Sequence, residues 1–326
     1  MAIVGGFSGL LLIRAATTIK SAEAESGGIA GNASSVTGTA AAGASGQAHV
    51  KFGNAYKRFG NTVASSQLAA ATTLRQAEEA LQIWDDQYHV TVYVTTFPST
   101  IRPPSFVLPV AADLEHVKQL GLALIDEWSK YPVDFVAQTG LQSISLGKEN
   151  YIDGTYRASV YDNPDKLMVY DVGYGADDYM RGVIHHEYWH YIEANDGTLG
   201  QPLTEWTDLN VPGFQYGNGG PSCYEPDNDC LSGDHPIPGF VSGYGASSVA
   251  EDRAEYFAYL MVAERYHKVL AWIQTDQTLA NKYAAFKQLM SDHSAQMGGS
   301  YLDDINGHVV AVAQAAEARV VRQPVD

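Results

Sequence analysis

Residues 181–197 read RGVIHHEYWHYIEANDG. His186 and His190 stand four apart, and Glu187 follows the first. On an α-helix four residues advance about 6 Å and return to nearly the same face. Two imidazoles can therefore address one cation while Glu187 projects beside them. Zinc in a catalytic site takes three protein ligands and keeps a fourth position for water. In this pattern the glutamate is the base for that water, not a ligand. Five-residue patterns of this kind also arise by chance, with both histidines on a solvated or core face and the glutamate in a surface ion pair. A third ligand separates the two readings.

One zinc-enzyme pattern continues the helix with a glycine and places the ligand six residues past the second histidine. Glu193 occupies that glycine position here and Asp196 the ligand position. Glu193 lacks glycine's conformational freedom, which disfavours a return of Asp196 to the site. The stretch SGYGASSVAEDRAEYFAYLM offers another solution, with Glu251 and Glu255 four apart on one helical face. Glu251 would bind the metal, and Glu255 would accept a hydrogen bond from a ligand histidine and fix its tautomer. The competing reading is a solvated acidic stripe with Arg253 nearby. His185 and Trp189 are expected to pack, because one helix face cannot aim adjacent histidines at one ion. His235 and His267 are not expected to reach the metal.

These side chains need elements to carry them. VIHHEYWHYIEA has helical periodicity, and Asn195-Asp196-Gly197 is a helix stop. LQSISLGKE, TYRASVYD and KLMVYDVG read as short strands ahead of it, and HVTVYVTTF as an earlier one. Helices are expected over about 65–85, from Asp113 to Trp128, and as one long helix over 247–273 capped by Ser247 or Ser248. A further helix is expected around LANKYAAFKQLM. The order predicts an α+β domain, a small mixed sheet ahead of the histidine helix and then a helical C-terminal half. The expected divisions are an apolar and Ala/Gly/Ser-rich arm over 1–48, a helix and strand over 49–104, the main domain over 105–300 and a tail over 301–326.

His186, Glu187 and His190, with a later helix carrying Tyr244, Glu251 and Glu255 in a Tyr-x6-Glu-x3-Glu register, resemble the gluzincin metallopeptidases related to anthrax lethal factor and a wider group of zinc-binding metallopeptidases. The resemblance covers about Ser105 to His293. It implies a zincin-like fold, one Zn2+ per chain on His186, His190 and Glu251, and hydrolysis of peptide bonds with Glu187 as general base. Tyr244 would supply a phenol to the carbonyl oxygen. Together with chain order, the resemblance makes Leu167, Met168, Val169 and Tyr170 the cleft-edge strand to which an extended peptide adds. Two departures stand out. The Thr198–Gly243 segment is longer than the resemblance expects, and Asp252 adds negative charge beside the ligand position.

The bulk composition narrows the classes. The chain has 326 residues, 45% hydrophobic and 17% charged, with a formal charge of −17. That is a globular composition. Without a basic run it excludes nucleic-acid binding and a polybasic membrane patch. Cys223 and Cys230 lack zinc-finger spacing to other ligands, so a local disulfide is expected, with two free thiols as the alternative. The apolar run from Ala2 to Ile13 is too short to span a bilayer, and it reads either as a signal peptide or as an uncleaved arm. An extracellular or surface-associated protein is expected. The rival function is an assembly or surface protein whose arm mediates homo-oligomer or particle contacts and whose zincin domain is binding-only or structural.

Overall fold

The computed structural model describes residues 63–97, 105–152, 154–195, 203–224, 230–231 and 233–306. The described residues from Ala64 onward form one unit by their contacts. The apolar N-terminus, the small-residue arm and the tail from residue 307 lie outside the described residues. The fold is α+β, with a small mixed sheet before the histidine helix and a helical C-terminal half.

The helix expected over 65–85 is interrupted. Residues 63–70 are helical, and α1 (Leu74–Leu81) restarts after Thr73, whose side chain accepts from the Gln76 backbone N–H. A threonine that satisfies an N-terminal donor starts a helix better than it continues one. α2 (Ile83–Tyr88) follows.

Six strands form the sheet: β1 (Thr91–Tyr93), β2 (Ser105–Val107), β3 (Ser143–Ile152), β4 (Thr155–Tyr156), β5 (Ser159–Asp162) and β6 (Leu167–Asp171). β1 and β6 run parallel to β3, and β5 runs antiparallel to β6. β2 and β4 pair antiparallel with the far part of β3. The stretch read as one strand from Thr155 to Asp162 is thus two short ones.

β6 corrects an expectation. Leu167, Met168, Val169 and Tyr170 lie between β3 and β5, with both backbone edges paired and every side chain buried. They offer no free edge to an added strand. The cause is the turn at 163–166, where Asp165 N–H donates to Asp162 and Lys166 N–H to the Asn163 carbonyl, folding β5 back along β6. Among the described residues the outer strand on this side is β5. An uninterrupted apolar run such as Leu-Met-Val-Tyr marks a strand buried on both faces.

The helices are α3 (Leu114–Trp128), α4 (Val133–Thr139), α5 (Asp178–Asn195), α6 (Leu203–Asp208), α7 (Val249–Met261), α8 (Ala263–Trp272) and α9 (Gln277–His293). The single helix expected over 247–273 breaks at Val262, which is extended. Lys130 Nζ reaches across to the Met261 carbonyl at 2.6 Å and satisfies an acceptor that the helix end exposes. α5 is held from behind by aromatic packing. Trp189 lies 4.7 Å from Phe286 and 5.0 Å from Phe257, ring to ring, and Tyr188 lies 4.7 Å from Trp128. His185 is fully buried, donating from Nε2 to Glu127 at 2.8 Å and accepting at Nδ1 from the Tyr131 hydroxyl. Burial pushes its pKa down to about 4. It is a packing residue that ties α5 to α3.

Candidate metal centre

α5 and α7 face each other across the site. Ser248 caps α7 by accepting from the Glu251 N–H, and this sets Glu251 in the first turn, where its carboxylate can meet α5. His186, His190 and Glu251 form a group whose ligand atoms all lie within 4.8 Å of one another. His186 Nε2 is 3.2 Å from His190 Nε2. The two Glu251 oxygens divide between the rings, Oε1 at 3.3 Å from His186 Nε2 and Oε2 at 3.3 Å from His190 Nε2. His186 Nδ1 donates to Glu255 Oε1 at 2.9 Å, which turns Nε2 toward the other two ligand atoms.

The donor set fits zinc. A tetrahedral zinc with ordinary nitrogen and oxygen bonds sets its ligand atoms about 3.3 Å apart; the two imidazole nitrogens stand near that edge, and each Glu251 oxygen stands at it from one of the rings. Glu251 Oε1 is buried and makes no hydrogen bond among the described residues, so one acceptor is left for a cation. Electrostatics agree. Burial opposes a charge on His186, yet Glu251 and Glu255 outweigh it and lift the imidazole well above its usual range. Burial would raise Glu251, but His186 and His190 hold it well below the ordinary carboxylate range. A centre of this polarity binds protons or a divalent cation, and the cation displaces the protons.

Of the group, His186 borders a cavity of about 450 Å³ that Glu187, Tyr244 and Glu255 also line. Glu187 and Tyr244 are both half-buried there. Tyr244 starts a 3-10 turn, Tyr244–Ser247, and its ring centroid lies 5.9 Å from that of His186. The opposite wall comes from residues 155–159, the connection between β4 and β5 together with their ends, rather than from β6.

No protein-family model matches the chain, and no curated protein matches it. The chain is similar to the solved structure of a "putative zinc-binding metallo-peptidase" from Bacteroides caccae ATCC 43185, at 18% identity over 74% of this chain and 93% of that one, with a TM-score of 0.49.

The remaining candidates fall elsewhere. α5 stays helical through Asn195, so the chain does not turn at Glu193, which faces Arg253 at 3.8 Å. Asp196 lies outside the described residues. His235 stacks on Trp272 at 4.9 Å, and His267 Nδ1 donates to the Ala263 carbonyl. Neither belongs to the metal-capable group. Cys223 and Cys230 are joined as a disulfide.

Two residues gain a part that the motif reading does not assign. Gly220 lies against the site, since a Cβ there would come 2.3 Å from the Tyr244 hydroxyl and 3.0 Å from the Glu251 carboxyl carbon. Backbone bonds from Gly217 N–H to the Ala246 carbonyl and from Gly219 N–H to the Ser247 carbonyl hold its segment there. The pair Gly219-Gly220 in GNGGPSC was the available signal. Asp252 adds no free charge to the metal group. Its Oδ2 accepts from Lys282 at 2.6 Å and Trp206 at 2.8 Å inside the core, and from the half-buried Tyr216 at 2.7 Å.

Proposed function

We propose that this protein is a zinc-dependent metallopeptidase that hydrolyses peptide bonds. The observation that carries the reading is the convergence of two imidazoles from α5 and one carboxylate from α7, their ligand atoms within 4.8 Å of one another, beside a cavity that Glu187 and Tyr244 also line. His186, His190 and Glu251 would hold one Zn2+, which supplies Lewis-acid polarisation of a carbonyl and acidification of water.

The chain's own groups would do the rest. Glu187 takes a proton from the attacking water and delivers it to the leaving amine. The Tyr244 phenol donates to the carbonyl oxygen as charge develops on it, an interaction commonly worth about 3 kcal/mol. Glu255 keeps the His186 tautomer fixed, so that Nε2 retains its lone pair. The substrate enters past the connection between β4 and β5. The Cys223–Cys230 disulfide supports an oxidising, extracellular or surface setting. No helix among the described residues is long and apolar enough to cross a membrane.

The test is cleavage of casein and a mixed peptide library by zinc-loaded protein, with and without a chelator. The expected result is cleavage that the chelator abolishes and added zinc restores. Cleavage indifferent to chelation would overturn the metal assignment, and absence of cleavage by zinc-loaded protein would overturn the peptidase assignment.

A further inference from the structure

Among the described residues the large exposed hydrophobic side chains are five valines, one leucine and three tyrosines, and the tyrosines are gathered. Among the described residues the exposed aromatics are Tyr151, Tyr156 and Tyr179, at 43%, 41% and 54% exposure. All three belong to one strip. Tyr151 and Tyr156 are cross-strand partners of β3 and β4, with ring centroids 5.4 Å apart. Tyr156 lies 5.0 Å from Tyr174, and Tyr174 lies 6.3 Å from Tyr179 on the first turn of α5. Scattered exposed apolar residues need no explanation, whereas a contiguous aromatic run on a surface marks a contact site.

The strip leads into the candidate metal centre. Tyr156, Tyr174 and Tyr179 line the same cavity as His186, Glu187 and Tyr244. Tyr151 carries the run outward from it. At least one of the rings is pre-set. The Tyr156 hydroxyl donates to Asp171 at 3.2 Å and packs so closely on Gly173 that a Cβ there would come 2.9 Å from it. A rigid aromatic face binds at low entropic cost.

We infer that the strip Tyr151–Tyr156–Tyr174–Tyr179 is a substrate subsite that takes a proline-containing segment of the polypeptide next to the scissile bond. This rests on the peptidase reading above. Neighbouring rings stand 5.0 to 6.3 Å apart, close enough to give the apolar ring faces of a polyproline II segment an unbroken aromatic surface. Proline segments dock on aromatic-lined grooves because their conformation is already set and their ring faces are apolar. Such docking needs no free sheet edge, which β6 does not provide.

The experiment uses the full-length zinc-loaded protein, with peptides that carry or lack prolines on either side of one cleavable sequence. Proline-flanked peptides should be cleaved with the higher kcat/KM. Tyr151→Ser and Tyr179→Ser should raise KM for them about fivefold to tenfold, the size of one lost aromatic contact, with a much smaller change in kcat. Val110→Ser, exposed at 54% but off the strip, should change neither constant. A second arm titrates Glu187→Gln protein with an uncleaved proline-rich peptide and with a neutral oligosaccharide. Cleavage without proline preference, or with KM unmoved in both tyrosine variants, overturns the inference and leaves the peptidase reading standing. If the protein cleaves nothing, the second arm decides. Peptide binding lost in Tyr151→Ser upholds the strip as a polypeptide site, and oligosaccharide binding in place of peptide overturns it.

Discussion

His186 is engaged through both ring nitrogens. Nδ1 donates to Glu255, and Nε2 faces His190 and Glu251. Glu187 projects beside it into the cavity, which makes Glu187→Gln the sharpest single change. It keeps the volume and the ligands but removes the base. Zinc content should stay at one per chain while kcat falls by about 10² or more, and a turnover near wild type would remove Glu187 from its role. Gly220 gives a second probe, chiefly of Tyr244 and more weakly of Glu251, whose carboxyl carbon a Cβ there would approach to 3.0 Å. A methyl 2.3 Å from the phenol oxygen forces the ring to move, so Gly220→Ala should lower kcat about tenfold or more, with far-ultraviolet circular dichroism unchanged. An unaltered kcat would show that the phenol does not serve the reaction. The two histidines were legible as a pair because helical spacing puts them on one face, and Glu251 was legible only through the Tyr-x6-Glu-x3-Glu register that the resemblance supplies, since it stands on another helix. Gly220 was not, because its place depends on where an irregular segment crosses the 3-10 turn that Tyr244 begins.

α7 is fixed by Asp252, the residue after the candidate ligand Glu251. Asp252 is fully buried against Lys282, which is itself fully buried and sits 3.9 Å above the Phe240 ring. This pair ties α7 to α9, and the Trp206 and Tyr216 bonds to Asp252 tie α6 and the segment after it to the same carboxylate. Removing one partner of a buried pair strands the other, at a cost of about 3–5 kcal/mol. Lys282→Met should therefore lower the urea midpoint sharply, and adding Asp252→Asn should recover part of the loss. Equal midpoints for wild type and Lys282→Met would mean that the pair contributes no net stability. Local pattern located most of these elements: Leu114–Trp128, Leu167–Asp171, Asp178–Asn195 and the Ser248 cap all follow from period and capping residues. The break at Val262 and the interior position of β6 did not emerge, since each depends on a distant partner, Lys130 in one case and β5 in the other.

At the scale of the molecule, an α+β fold sets a helix from the middle of the chain against one from its last third, so metal binding should couple to stability. Zinc at about 100 times its Kd adds roughly 2.7 kcal/mol to the folded state. For a domain of this size that corresponds to a Tm higher by roughly 5–10 °C. Chelation should remove the increment, and Glu251→Ala should melt at one temperature with or without zinc. The fold class was readable because the strands precede the histidine helix in order, and sheet connections are local. The cavity's far wall was not, since residues 155–159 reach the site only through the β3–β4 and β5–β6 pairings. Zinc-edge X-ray absorption on the zinc-loaded protein reads the centre directly. The expected spectrum shows a first coordination sphere of nitrogen and oxygen at about 2.0–2.1 Å with the outer scattering of two imidazoles, reduced to weak or absent zinc in Glu251→Ala. Sulfur at about 2.3 Å, or an unchanged spectrum in that variant, would contradict it.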